Sequence, residues 1–402
     1  MAKVLIFNFP GEGHINPTIA LVEELIKRGE EVIYYCVEEY RSKIENTGAL
    51  FRPYENFILQ IDMVKRMSGQ INPQEILLHI VKSMDKIIEI ILKEIKGEKY
   101  DYVIYDNNFA VGWIVADILQ LPKISSCTTF AITKKIASTL MKNHGEENKK
   151  SPLYQEVMGI LKKWEDIYGI KLNEKQNVMT CPGDITIVYT SKLYQPNVEE
   201  FDDSYIFVGT SIEQRKDVNS VSLEQEKGNK LIFISMGTVF NQQPDFYHTC
   251  FEAFRDSQVT VILAVGEQND INQLENIPSN FKLYNYVPQL DILQHTDLFI
   301  THGGMNSSSE SLYFGVPMLV IPVMGDQPIV AQRIEELEAG VQLKRNLLTP
   351  EILRNTTMHM LSNDIYTKNS HRIGKSLKNA GGYKKAVDEI ETFKFKMGIN
   401  LK

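Results

Sequence analysis

The chain has 402 residues, of which 43% are hydrophobic and 23% charged, and its formal net charge is −8 at pH 7. A chain of this length is too long for one ordinary hydrophobic core and predicts about two domains. The acidic balance and the lack of a face rich in Lys and Arg exclude a sequence-independent grip on nucleic acid, which depends on neutralising phosphates. A small anionic ligand stays compatible with the sequence, because local dipoles outweigh net charge at short range.

The cysteines and the apolar segments exclude two further classes of protein. No apolar run approaches the roughly 20 residues that a membrane-spanning helix needs, and the first residues lack the apolar region and cleavage site of a secretory signal. The cysteines show neither CxxC nor Cys/His ligand spacing, which predicts free thiols in a reducing compartment; they are Cys36, Cys127, Cys181 and Cys250. We therefore expect a soluble, cytoplasmic protein.

The start of the chain predicts a strand, a helix and a second, parallel strand. Residues 3–9 form an apolar run typical of a buried strand, and residues 10–14 predict a tight loop. Asn16 is the expected N-cap, and Pro17 the expected first position, of a helix that Gly29 closes before the strand-like EVIYYCV. This pattern indicates a βαβ unit.

The alternation of helices and strands continues to about residue 212. A helical period of apolar residues predicts a helix over residues 73–95, and a strand ending at Asp106 is followed by a helix over residues 110–121 and a strand near Ile124. ITIVYTS and YIFVG predict two more strands. The charged residues 142–152 predict an exposed loop, and the polar residues 213–229 predict a linker between two domains.

The second half of the chain repeats this plan. The expected strands are LIFIS, VTVILAVG, KLYNYV, DLFITHG and PMLVIPV, and helix-like segments lie between them over residues 246–254, 307–314 and 328–339. Alternating strands and helices predict a second, mostly parallel sheet that is covered on both faces. The fold class is therefore α/β, with two Rossmann-like domains.

The sequence THGGMNSSSE is a strand that enters a Gly303-Gly304 turn and then a helix expected to begin near Asn306 and Ser307. The start of a helix offers unpaired N–H groups and the positive end of its dipole, and glycines let the backbone approach a phosphate. His302 would add a donor at the strand end. Glu310, about one turn into the helix, could accept hydrogen bonds from ribose hydroxyls.

A purely structural turn, with His302 as a satisfied structural histidine, is the alternative interpretation of this motif. Two neighbouring strand ends argue against it, because Gln289 follows KLYNYV and Asp326 with Gln327 follows PMLVIPV. Ligands of doubly wound folds bind at the carboxyl ends of the strands, where these polar groups should meet. Their convergence favours a nucleotide diphosphate site.

Together, YVPQ, THGGMNSSSE and GDQ resemble the donor-binding signature of the UDP-glycosyltransferases, the family-one enzymes with the two-domain GT-B fold. The chain most resembles their bacterial macrolide-glycosyltransferase branch. The resemblance implies two Rossmann-like domains whose mostly parallel sheets face each other across a cleft. We expect an acceptor-binding domain over residues 1–212 and a donor-binding domain over residues 213–385, with a C-terminal helix of about residues 386–402 packing back on the first domain.

The resemblance also implies which residues bind the donor. Those near the base and ribose are Tyr286, Val287, Gln289 and Glu310. Those near the diphosphate or the sugar hydroxyls are His302, Gly304, Asn306, Ser307, Asp326 and Gln327. The segment ISMGT matches the family's Ser-x-Gly-Thr loop and adds Ser235, Gly237 and Thr238 beside the phosphates. Many members have Trp where this chain has Tyr286 and Met305, and weaker stacking at Tyr286 leaves the preference between uracil and thymine nucleotides open.

The segment PGEGHINP places His14 between a strand and a helix, where it could take a proton from an acceptor hydroxyl. Glycosyl transfer needs such a base, because a neutral alcohol or phenol is a poor nucleophile. Asp106 could receive the other ring N–H of His14 and stabilise the imidazolium. From the residues alone, Asp106 could equally be a turn residue, and the family pattern favours the catalytic pair.

Gly11-x-Gly13 also allows a dinucleotide fingerprint, with Glu38 as the ribose-binding acid. The third glycine of that motif is missing, because Asn16 stands at its position. An NAD-dependent oxidoreductase is therefore a minor alternative. A nucleotide-sugar-binding protein without catalysis is the other alternative, although it would not need His14 and Asp106.

We thus expect an inverting glycosyltransferase that moves glucose, or a related hexose, from a UDP-sugar to a hydroxyl of a small apolar acceptor such as a phenolic, flavonoid or macrolide. The helix start at Asn306 with His302 would stabilise the leaving diphosphate, so neither a metal nor another cofactor is expected. The acceptor pocket is expected over residues 56–85 and 109–150. A monomer or weak dimer is the expected state.

Overall fold

The computed structural model describes residues 1–58, 73–132, 151–170, 180–212, 229–237, 243–267 and 269–399. The chain divides into two compact units. The first contains Met1–Tyr189, Asn197–Ser211 and Gly381–Lys402, and the second contains Thr190–Pro196 and Ile212–Ala380. Within the described ranges, no helix is long and apolar enough to cross a membrane.

The sheet of the first unit has seven parallel strands in the order β3-β2-β1-β4-β5-β6-β7. Its strands are β1 Lys3–Phe7, β2 Glu31–Cys36, β3 Leu50–Pro53, β4 Tyr102–Asp106, β5 Lys123–Cys127, β6 Ile185–Val188 and β7 Tyr205–Phe207. The central strands are apolar on both faces because helices cover both sides of a parallel sheet. The sequence did not predict the short edge strand β3.

Among the described residues up to 170, the helices of this unit are α1 Glu12–Lys27, α2 Arg41–Glu45, α3 Pro73–Glu94, α4 Ala110–Leu119 and α5 Pro152–Tyr168. Ser151 caps α5 by accepting a hydrogen bond from the backbone N–H of Tyr154. The predicted loop over residues 142–152 therefore ends in a helix start, and its residues 142–150 lie outside the described residues. Most of the predicted linker, residues 213–228, also lies outside them.

The predicted start of the first helix was wrong. Helix α1 begins at Glu12 after the N-cap Gly11, whose carbonyl accepts hydrogen bonds from the N–H groups of His14 and Ile15 at 2.9 and 3.0 Å. Pro17 therefore lies inside the helix rather than at its first position. Its fixed φ is compatible with a helix, and its missing N–H removes one backbone hydrogen bond in the second turn. His14 is consequently a helical residue rather than a loop residue.

The sheet of the second unit has six parallel strands in the order β10-β9-β8-β11-β12-β13. Its strands are β8 Lys230–Ser235, β9 Val259–Ala264, β10 Phe281–Tyr284, β11 Leu298–Thr301, β12 Met318–Val320 and β13 Gly340–Gln342. The helices that follow α5 are α6 Pro244–Phe254, α7 Gln289–Leu293, α8 Met305–Phe314, α9 Gln327–Glu336, α10 Pro350–Ser362 and α11 Asp364–Asn379. The short edge strand β13 was also not predicted.

The segment Thr190–Pro196 belongs to the second unit, although the expected boundary placed it in the first domain. The guanidinium of Arg333 donates to the carbonyls of Leu193 and Tyr194, each at 3.0 Å. The buried hydroxyl of Tyr194 also bonds Ser308 of α8 at 3.1 Å. These contacts attach the segment to α8 and α9.

The last helix, α12 Gly382–Lys396, belongs to the first unit and packs along α1. Its buried face consists of Ala386, Val387, Ile390 and Phe393. The chain rejoins the first unit at Gly381, five residues before the expected helix start at 386. Lys394 forms a buried ion pair with Glu30. Both apolar packing and this pair therefore hold α12 in place.

Candidate active site and donor site

Three polar side chains meet at the carboxyl ends of the adjacent strands β1, β4 and β5. Nδ1 of His14 lies 2.8 Å from Oδ2 of Asp106 and 3.1 Å from Oγ1 of Thr128. The carboxylate of Asp106 is fully buried, and its Oδ1 accepts a hydrogen bond from the backbone N–H of Asn108 at 2.8 Å. The His14 side chain keeps 21% of its surface exposed. The Nδ1 side of the ring is thus held by Asp106 and Thr128, and the side chain stays partly exposed.

This geometry gives His14 a defined tautomer. A buried carboxylate that accepts the Nδ1 proton leaves the lone pair on Nε2 and stabilises the imidazolium that forms when Nε2 takes a proton. A general base and the carboxylate that supports it require this arrangement. The predicted proximity of the two side chains is observed.

Thr128 was missed in the sequence. It lies one residue past the end of β5 and is buried. The sequence did contain one indication of Thr128, namely its position at the end of a predicted strand. A position at a strand end also identified Asp106. Its neighbour Thr129 offers the same hydroxyl, so the sequence could not single out one of them.

Aromatic rings lie beside His14. The ring of Phe9 is 4.8 Å from the imidazole and contacts the rings of Phe57 and Phe109 at 5.8 and 6.2 Å, between centroids. Phe57 and Phe109 belong to the two segments that were expected to line an acceptor pocket. Much of those segments, residues 59–72 and 133–150, lies outside the described residues.

In the second unit, the ends of β8 and β11 are adjacent, with Ser235 paired to Thr301 in register. The imidazole of His302 lies between two glycines. A Cβ atom at Gly237 would lie 2.7 Å from Nε2 of His302, and one at Gly304 would also lie 2.7 Å from it. Gly237 also has a φ of +77°, which disfavours other residues. Thr238 lies outside the described residues.

Burial lowers the pKa of His302 to about 4. The ring is therefore neutral near pH 7 and acts as a hydrogen-bond donor or acceptor rather than as a cation. Its Nδ1 lies 3.3 Å from the hydroxyl of Thr301. A neutral ring flanked by glycines suits close contact with phosphate oxygens through one N–H.

Helix α8 begins at Met305 with Gly304 as its N-cap, slightly before the predicted start near Asn306 and Ser307. Gly304 has no side chain to satisfy the first N–H groups of the helix. Such groups are commonly bonded by an anion. Asn306 and Ser307 therefore lie in the first turn of the helix, where backbone N–H groups point toward the helix start.

The residues predicted to bind ribose form a cluster. Nε2 of Gln289 donates to Oε2 of Glu310 at 2.6 Å and lies 3.4 Å from Oγ of Ser307. Glu310 is buried, which is unusual for a carboxylate within a helix. Val287 is buried as well, whereas the side chain of Tyr286 is 53% exposed. Tyr286 stands three residues before Gln289 in the sequence.

Asp326 and Gln327 lie where α9 begins, in the loop that follows β12. Oε1 of the buried Gln327 accepts hydrogen bonds from the N–H groups of Val323 and Met324 at 2.8 and 3.1 Å. The amide oxygen of Gln327 is thus fixed by the loop itself. Any ligand contact of this side chain would come from its NH₂ group.

Two units, each built on a parallel sheet flanked by helices, have the GT-B fold of solved glycosyltransferase structures. The chain belongs to the UDP-glycosyltransferase family, as a relative 40% identical over nearly the whole chain shows, and residues 206–379 match the family described as UDP-glucoronosyl and UDP-glucosyl transferase. The predictions of fold, family and enzyme class are confirmed. The alternative of an NAD-dependent oxidoreductase, which Gly11 and Gly13 left open, is not confirmed.

Relatives match along nearly the whole chain. The Bacillus subtilis protein described as uncharacterized UDP-glucosyltransferase YojK is 40% identical over 393 residues, covering 97% of each chain. Demethyllactenocin mycarosyltransferase of Streptomyces fradiae is 28% identical and covers 97% of this chain and 86% of its own. The crystal structure of the kitacinnamycin glycosyltransferase superposes with a TM-score of 0.87 at 24% identity, covering 97% of this chain and 98% of its own.

Proposed function

We propose that this glycosyltransferase transfers glucose, or a related hexose, from a UDP-sugar to a hydroxyl of a small, largely apolar acceptor, with inversion at the sugar carbon. The hydrogen bond between His14 and Asp106 carries the proposal, because it prepares a base at the strand ends of a glycosyltransferase. The relative described as a UDP-glucosyltransferase supports glucose as the sugar. The rings of Phe9 and its neighbours support an apolar acceptor such as a phenolic, flavonoid or macrolide.

In the proposed reaction, Nε2 of His14 removes the proton of the acceptor hydroxyl while its oxygen attacks C1 of the sugar. The bond between C1 and the diphosphate oxygen breaks on the opposite face, and UDP leaves with the electron pair. Asp106 keeps its negative charge and stabilises the imidazolium. The proton on His14 is then released to solvent.

The donor would be held by the second unit. Gln289 and Glu310 would bind the ribose, and the first-turn N–H groups of Asn306 and Ser307, with His302, would bind the diphosphate. These donors would offset the charge that develops on the leaving group, which is why we propose a reaction without a metal ion. Ser235, Gly237, Thr238 and Gly304 would line the phosphates, and Asp326 with Gln327 would bind the sugar hydroxyls.

Tyr286 bears on the choice of nucleotide. In the proposed site its phenol ring stacks on the base, and Val287 bonds the base through its backbone. A phenol ring covers less of a base than an indole ring does, so the extra methyl group of thymine should be tolerated. We expect dTDP to bind within about tenfold of UDP, a difference of about 1.4 kcal/mol. Parallel calorimetric titrations with UDP and dTDP measure this.

The main experiment compares His14→Ala and Asp106→Asn with the wild-type enzyme, using UDP-glucose and a panel of phenols with mass detection of the products. His14→Ala should lower kcat by about 10²- to 10⁴-fold on weakly acidic acceptors, while the Kd for UDP stays unchanged. A His14→Ala enzyme with near-normal kcat on such acceptors would refute the base role. Chromatographic comparison with α- and β-glucoside standards tests inversion, and product of the α configuration would contradict it.

A further inference from the structure

A buried polar chain lies directly beneath the first turn of α1. Nδ2 of Asn8 donates to the hydroxyl of Tyr34 at 2.6 Å, and that hydroxyl lies 2.8 Å from Oγ1 of Thr18. Thr18 in turn donates to the carbonyl of Ile15 at 2.8 Å. Nδ2 of Asn8 also donates to the carbonyl of His14 at 3.1 Å and lies 3.3 Å from Oγ1 of Thr18. The chain therefore ends on two consecutive carbonyls of the first helical turn.

The direction of this chain follows from counting protons. Thr18 has one hydroxyl proton, which it gives to Ile15, so the hydroxyl of Tyr34 must donate to Thr18 and accept from Asn8. Burial raises the pKa of Tyr34 well above its ordinary value, so its hydroxyl keeps its proton. Each hydroxyl proton in the chain thus has a single defined acceptor.

Asn8 itself is fixed on every side. Its backbone N–H donates to the carbonyl of Tyr35 at 3.3 Å, and its Oδ1 accepts from the N–H of Phe9 at 3.1 Å. The hydroxyl of Tyr54 donates to the Asn8 carbonyl. The residue comes directly after β1, and all three members of the chain are at most 2% exposed.

Packing alone does not explain three polar side chains in this core. Burying a hydroxyl or an amide is unfavourable unless it is hydrogen-bonded, and apolar side chains of similar size would fill the same space. A fully bonded network instead fixes one arrangement of the groups that it joins. Here the joined groups are the end of β1 and the helical turn that carries His14.

We propose that Asn8, through Tyr34 and Thr18, is a positioning residue for the catalytic histidine. Its side-chain amide holds the backbone of His14 from one side, while Asp106 holds the ring from another. The inference rests on the proposed function, in which His14 is the general base. A base acts over about 3 Å, so a small shift of its backbone lowers the rate of proton transfer more than it lowers binding.

The test uses Asn8→Ala, Tyr34→Phe and Thr18→Val, assayed with phenols of graded acidity. An acidic nitrophenol is largely ionised at pH 8 and needs no base, whereas an unsubstituted phenol does. We expect kcat on the unsubstituted phenol to fall about 10- to 100-fold for Asn8→Ala and less for the other two variants. The rate on the nitrophenol and the Kd for UDP should change little.

Thr47→Val is the matched control. Thr47 is also buried, and its hydroxyl donates to the carbonyl three residues earlier, Ile44, as Thr18 does to Ile15. It lies two residues past the end of α2, and its hydroxyl also accepts a hydrogen bond from the backbone N–H of Ala49 at 3.3 Å. The control should leave the dependence of rate on acceptor acidity unchanged, and it measures what the loss of a buried threonine hydroxyl does to the fold.

Equal losses on both phenols would overturn the inference, because they indicate general damage to the unit. Unchanged rates would overturn it as well. In a His14→Ala background, Asn8→Ala should cause no further acceptor-dependent loss, and an additional loss would contradict action through His14. If Asn8→Ala does not fold, Tyr34→Phe and Thr18→Val decide the matter by the same comparison.

Failure of the proposed function would look different. If His14→Ala itself lost the same factor on both phenols, or lost none, the base role would be wrong whatever Asn8 does. If His14→Ala shows the acceptor-dependent loss and the variants of the polar chain do not, only the positioning role is wrong.

Discussion

The lowered pKa of His302 predicts that the stability of the second unit falls below neutral pH. Burial lowers the pKa of His302 from its ordinary value of 6.5 to about 4. Between these values the unfolded chain binds a proton at this ring and the folded chain does not, so proton uptake favours the unfolded chain. The stability that the neutral ring contributes is fully present above pH 6.5 and is lost as the pH falls from 6.5 to 4.

The variant His302→Gln removes the titrating ring and keeps a side-chain N–H donor. Linkage between the two pKa values gives a loss of about 2 kcal/mol for the wild-type protein between pH 7.5 and pH 5. The His302→Gln variant has no ring to titrate, so its stability should not show this loss. The difference in free energy of unfolding between wild type and variant should therefore shrink by about 2 kcal/mol over that range.

The two units can be followed separately. Both tryptophans, Trp113 and Trp164, belong to the first unit, so their fluorescence during urea unfolding reports that unit. Hydrogen exchange of the amides of β11 and α8 reports the second unit, where His302 lies. The pH-dependent difference should appear in the exchange data and be absent from the fluorescence. A stability difference that stays constant within about 0.5 kcal/mol from pH 7.5 to 5 would refute the reasoning.

Three further changes have defined outcomes. Gly304→Ala places a Cβ atom 2.7 Å from the imidazole of His302. Calorimetry should show that UDP binds at least tenfold more weakly, a loss of about 1.4 kcal/mol in binding free energy. An unchanged Kd would contradict the proposal that this Cβ crowds the donor site. Glu310→Gln removes the carboxylate that accepts a hydrogen bond from Gln289 at 2.6 Å. UDP should then bind about tenfold more weakly, while the melting temperature stays nearly the same. Equal affinity of the variant and the wild type for UDP would argue against the ribose contact. Lys394→Met leaves Glu30 buried without its charged partner, and the free energy of unfolding that tryptophan fluorescence measures should fall by about 3 kcal/mol. The double variant Glu30→Met/Lys394→Met should recover most of that loss. No recovery would mean that packing, rather than charge, dominates.

The central strands of both sheets could be predicted because their apolar runs are buried on both faces. The edge strands β3 and β13 could not, since a strand such as Leu50–Pro53 or Gly340–Gln342 has only three or four residues and no alternation of its own. Pairing with a longer neighbour makes them strands. The start of α1 was misplaced because Pro17 resembles a first helical position. The helix instead begins with backbone hydrogen bonds to the carbonyl of Gly11, and no side chain caps that start, so the sequence carries no capping signal there.

The candidate site was predictable where its residues follow strands, because parallel strands end at one edge of a sheet. That rule brought out His14, Asp106 and the glycines near His302. It could not identify Thr128, whose choice over Thr129 depends on the direction of one side chain. It also could not show why Gly237 must be glycine, since the reason is the ring of His302 across the strand ends.

The two histidines show how neighbours, rather than residue type, set the chemistry of a site. In the sequence, His14 and His302 both stand between a strand and a helix, next to glycines. Nδ1 of His14 lies 2.8 Å from the buried carboxylate of Asp106, which would stabilise the positive ring that a general base becomes when it takes a proton. No carboxylate within the described ranges bonds His302, and burial keeps its pKa at about 4, so it would donate to phosphate without exchanging protons during turnover. The role of general base would therefore pass from His14 to His302 only if a carboxylate such as that of Asp106 were placed beside His302.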